Sequence, residues 1–110
     1  RNAEAHNNLG LALASQGKLD AARASYQRAL QVAPHYAQAH SNLGAVLLQL
    51  GILDEAVAHF RAALRANPSL AEAHYNLAIA LAKQGKMPEA LASQAEATRL
   101  NPNLKAKHEQ

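Results

Sequence analysis

The chain has 110 residues and a formal net charge of +3, and is 49% apolar with only 4% aromatic residues. This alanine-dominated apolar fraction suits helices packed through small side chains, whereas a sheet core calls for β-branched and aromatic residues. The absence of cysteine excludes disulfides and thiolate metal sites, and no apolar run approaches the ~18 residues needed to cross a bilayer.

The first predicted element is a helix in which Ala5, Leu9 and Leu13 recur every four residues and form one buried face. Two asparagines, Asn7 and Asn8, sit inside it, although each costs a few tenths of a kcal/mol against alanine in a helix. Gly17 ends the helix, since glycine takes the left-handed conformation cheaply. Asp20 opens a second helix, where a carboxylate suits the exposed N–H groups, with Ala22, Tyr26, Ala29 and Leu30 as its buried stripe. Pro34 stops it. Small residues such as Gly10, Ala22 and Ala29 let the two helices approach closely.

The same wording then returns. QAHSNLG at 38–44 and EAHYNLA at 72–78 follow EAHNNLG at 4–10, so that Asn8, Asn42 and Asn76 are each thirty-four residues apart. Aligned at that period the chain gives three repeats, 3–36, 37–70 and 71–104, with eleven columns identical in all three. The third repeat departs from the others on one face. Gln94 stands where Tyr26 and Phe60 stand, and Thr98 where Leu30 and Leu64 stand. The terminal unit of a repeat array needs a polar outer face, so these two residues predict an end. Residues 105–110 read as the start of a polar capping helix or as a cut fourth repeat. The chain starts at Arg1 rather than Met, as a piece of something longer would, and a cytoplasmic location is expected.

The spacing of Leu9, Gly10, Leu13, Gly17, Ala22, Tyr26, Ala29 and Pro34 resembles the tetratricopeptide repeat. Histidine (His6, His40, His74) stands where that family often has tryptophan. The resemblance implies an all-α solenoid, a right-handed superhelix of antiparallel helix pairs. It also implies that the first helix of each pair lines a concave groove, and that the array binds segments of other proteins without catalysing a reaction.

The groove stripe implied by this architecture contains Glu4, Asn7, Asn8 and Leu11 in the first repeat. The matching residues are Gln38, Ser41, Asn42 and Ala45 in the second, and Glu72, Tyr75, Asn76 and Ile79 in the third. A primary amide both donates and accepts, so stacked asparagines can hold an extended peptide backbone whatever its sequence. Leu11, Ala45 and Ile79 offer apolar contacts, and Tyr75 an aromatic anchor. The alternative is that the asparagines bond within or between helices. The asparagine column is also similar to the repeat region of O-GlcNAc transferases, which leaves open that this is the substrate-recruiting part of a larger enzyme. A subfamily grips C-terminal carboxylates with lysines and an arginine on the first helices, and the positions that match its clamp hold Asn7, Leu11, Asn42, Glu72 and Asn76 here. Only Asn42 agrees, and Glu72 would repel a carboxylate.

No catalytic constellation, phosphate loop or cofactor motif is present. The histidine column cannot converge on one metal, because successive copies are a helix pair apart, and His35 and His59 read as lone and exposed. The arginines Arg23, Arg28, Arg61, Arg65 and Arg99 fall on second helices among acids. The positive surplus therefore reads as a solvated face rather than a nucleic-acid surface. A protein or peptide partner is expected, with no nucleic acid or membrane, and self-association through the end faces stays open.

Overall fold

The structure, a computed structural model, describes residues 2–104. Six helices follow in order: α1 (Ala3–Ser15), α2 (Leu19–Val32), α3 (Ala37–Gln49), α4 (Leu53–Ala66), α5 (Ala71–Lys83) and α6 (Met87–Leu100). Residues 102–104 are again helical, and Leu104 is buried. The expected cap at 105–110 lies outside the described residues.

Within each repeat the two helices are joined by the same turn. Gly17, Gly51 and Gly85 have φ of 78°, 79° and 82°. At that turn the N–H of Lys18 reaches back to the carbonyl of Leu13, and Ile52 and Lys86 do the same to Leu47 and Leu81, each at 2.9 Å. This closes the orphan carbonyls of the helix end and reverses the chain. The second helix starts at Leu19 rather than Asp20; Asp20 falls in its first turn, where the carboxylate faces the helix N-terminus. Between repeats, Asn67 and Asn101 precede proline and accept the N–H of Ser69 and Asn103 at 3.1 and 3.2 Å, side-chain turns that end α4 and α6.

The core alternates between two kinds of layer. Inside a repeat, an aromatic ring lies against a glycine: a Cβ on Gly44 would be 2.7 Å from Phe60 Cε1, and Gly10 meets the ring of Tyr26 in the same way. Tyr26 and Phe60 are among the largest fully buried side chains, and burial pushes the Tyr26 phenol above its usual value. In the third repeat the ring becomes Gln94 and the glycine becomes Ala78, which is the change the space dictates.

Between repeats, the second helix of one packs on the first helix of the next. This contact covers Ala39 and Ala73, both fully buried, and Leu43 and Leu77. The matching residues of the first repeat differ from the expected buried face: Ala5 is exposed and Leu9 is 51% exposed. Among the described residues no helix precedes α1 to cover them. At the opposite end, the polar face expected from Gln94 and Thr98 is mixed. Both are half-buried in a hollow shared with Leu91, and Leu91 and Met87 are themselves exposed.

Candidate functional site

The array has two unlike sides. The first helices touch one another, α1 against α3 and α3 against α5, whereas no comparable contact joins α2 to α4 or α4 to α6. The axes therefore converge on the first-helix side and splay on the other. Side-chain length follows this curvature. On the splayed side the long pairs Arg23–Glu55 and Arg61–Glu89 bridge successive second helices, both at 3.5 Å, while Arg99 pairs with Glu96 on its own helix. On the converging side two short amides meet: Asn42 Nδ2 donates to Asn7 Oδ1 at 3.0 Å.

That hydrogen bond divides the twelve candidate residues by role. Asn7 and Ser41 are buried, at 4% and 8% exposure, and so are not the open surface expected of them. They lie where the next first helix packs; in the third repeat the column holds Tyr75, half-buried. Tyr75 and Ile79 border a hollow of about 150 Å³ with Met87, Leu91 and Gln94. Asn8 is exposed, and Asn42 and Asn76 are half-buried. Among the described residues neither Asn8 nor Asn76 has a side-chain hydrogen-bond partner. Ser41, the counterpart of Asn7, makes no such bond to Asn76. Asn42 retains one N–H and its carbonyl oxygen. Leu11 is 46% exposed, Ala45 is half-buried, and Glu4, Gln38 and Glu72 are exposed in the first turns of α1, α3 and α5.

The alternation of helix pairs at a thirty-four-residue period, with convergent first helices, has a direct counterpart in a family model. The model for the tetratricopeptide repeat matches residues 7–71 and 53–104. The chain belongs to the tetratricopeptide repeat family. Such solenoids are protein–protein interaction scaffolds and are generally non-catalytic. Among solved structures, the crystal structure of YrrB, a tetratricopeptide repeat protein with an unusual peptide-binding site, superposes with a TM-score of 0.85 at 28% identity, covering 98% of this chain and 58% of that one. The crystal structure of MamA gives a TM-score of 0.84 at 28% identity, covering 96% of this chain and 61% of that one. The chain thus spans about three-fifths of the length of each. Among curated proteins, no sequence matches closely enough to count as a relative.

The tetratricopeptide histidine column proves to be a tether for the inter-repeat loops. His40 Nε2 and His74 Nε2 reach the carbonyl oxygens of Pro34 and Pro68 at 2.8 and 3.2 Å. His35 is exposed, but His59 is neither lone nor exposed: it is half-buried, with Nδ1 3.0 Å from Nδ1 of His40. Sequence spacing alone does not show this contact, because position 59 is serine in the other two repeats, Ser25 and Ser93. Among the described residues no three metal-ligating side chains come together to hold an ion, and no helix is long and apolar enough to cross a membrane.

Proposed function

We propose that this array is a non-catalytic scaffold that holds an extended segment of a partner protein along its first helices, with Asn8, Asn42 and Asn76 as backbone clamps. The observation that carries this reading is the unmet capacity of Asn8 and Asn76 on the converging side. An amide that packs against its own fold finds a partner there, as Asn42 does with Asn7; these two do not. The peptide-binding character of YrrB supports the reading by likeness of fold. Leu11, Ala45, Ile79 and Tyr75 supply apolar contact beside the amides, and Glu4, Gln38 and Glu72 polar contact at the helix N-termini. Asn7 and Ser41 act from beneath, the first by orienting Asn42.

A displayed peptide library selected on the intact protein tests this, with enriched peptides titrated against wild type and the Asn8→Ala/Asn76→Ala double variant. Each lost amide contact is worth about 1 kcal/mol, so the double variant should bind at least about tenfold more weakly with an unchanged melting temperature. Equal affinities, or a library from which nothing enriches, would refute the clamp.

A further inference from the structure

The rings of His40 and His59 meet in a way that packing alone does not require. Their centroids are 5.3 Å apart and their planes 30° apart. With the Nδ1 atoms 3.0 Å from each other, that is as far as the centroids can be. The two imidazoles therefore face each other head-on through their Nδ1 atoms, along one axis, rather than lying face to face.

The hydrogens on this axis can be deduced. The carbonyl of Pro34 only accepts, so His40 Nε2, at 2.8 Å, carries a hydrogen. Neutral His40 then has a bare Nδ1, and the facing Nδ1 of His59 must donate. A relay results, from His59 to His40 to the Pro34 carbonyl, tying α4 to α3 and to the loop that joins the first two repeats. His74 repeats only the second half of it, since Ser93 stands where His59 would.

One added proton leaves a single hydrogen on the Nδ1–Nδ1 axis whichever ring carries the charge: on His59 it sits on Nε2, off the axis, and on His40 the axial hydrogen bond only reverses its direction. A second puts a hydrogen on both Nδ1 atoms. Two N–H groups then point at each other within hydrogen-bond distance, on two positively charged rings, and the relay breaks.

We propose that His40 and His59 form a proton-counting latch on the joint between the first and second repeats, closed with no added proton or one and opened by a second. The charged groups acting on His59 are Glu55, on its own helix, which favours the charged form, and Arg23 of α2, which opposes it. Arg65 of α4 and His35 of the loop border the same hollow as His40, and α3 brings no other titratable group. Burial first, then His40, hold His59 below the ordinary histidine value. A histidine that resists protonation when folded but not when unfolded contributes stability that is full above about pH 6.5. That stability is lost as the pH falls below it. This latch adds control of the joint, independent of what the groove binds.

Two measurements test the latch. Nitrogen-15 spectra of the full chain at about pH 8 should show His40 as the Nε2–H tautomer and His59 as the Nδ1–H tautomer. His59 in the Nε2–H form overturns the relay, and this needs no variant. Thermal unfolding from about pH 8 to about pH 5 should then show a larger fall in melting temperature for wild type than for His59→Ser, the residue the other repeats carry. Equal falls overturn the latch.

Discussion

Asn42 on α3 donates its side-chain amide to Asn7 on α1, 3.0 Å away, joining two first helices through residues thirty-five apart in the chain. Asn7 is only 4% exposed, so its Oδ1 depends on that donor. Asn42→Ala should therefore destabilise the array by about 1–3 kcal/mol, the cost of a buried acceptor left unmet. Asn8→Ala and Asn76→Ala should stay within about 0.5 kcal/mol. Urea unfolding of the three single variants measures the asymmetry; equal losses would show that the three asparagines share one role.

Leu9 and Leu43 occupy one column of the repeat, at 51% and 1% exposure. Leu43→Ala empties a packed layer between α2 and α3 and should cost about 2–5 kcal/mol. Leu9→Ala removes a side chain already half in water and should cost well under that, about 0.5 kcal/mol. Chemical denaturation of both variants checks it.

Gly44→Ala should destabilise despite alanine's better helix propensity. The added methyl meets the fully buried Phe60 ring, and overpacking of this kind costs about 1–3 kcal/mol, against roughly 1 kcal/mol gained from propensity. In a Phe60→Leu background the same change should cost less, a coupling that a double-mutant cycle reads directly. Gly51→Ala has open space around it but a φ of +79°, so its cost of roughly 1–2 kcal/mol should be unaffected by Phe60→Leu.

The arginine bridges of the splayed side should matter little. Arg61 and Glu89 are about half exposed and 3.5 Å apart, so Arg61→Ala should change stability by less than about 1 kcal/mol. Adding salt should not lower the wild-type melting temperature appreciably; a pronounced salt dependence would point to a stronger charge network.

The helix boundaries were legible because their signals are local. Gly17, Gly51 and Gly85 take the left-handed turn wherever the chain must reverse, and proline cannot continue the helices before it. The asparagine stripe was legible as a column but not as a set of roles. Whether Asn7 faces solvent or Asn42 depends on how closely α3 approaches α1, and on serine being one atom too short to reach at the next joint. His59 was missed for the same reason: nothing in its neighbours along the chain marks it, and its partner is nineteen residues away.

By itself, then, the sequence determined the period, the six helices, the turns and the family. Each of these follows from preferences that act within one repeat. Only the tertiary structure decided which copies of a repeated residue are covered: Leu43 but not Leu9, Asn7 but not Asn8. A repeat buries its faces against its neighbours, so identical residues acquire different roles according to what lies next to them in the stack.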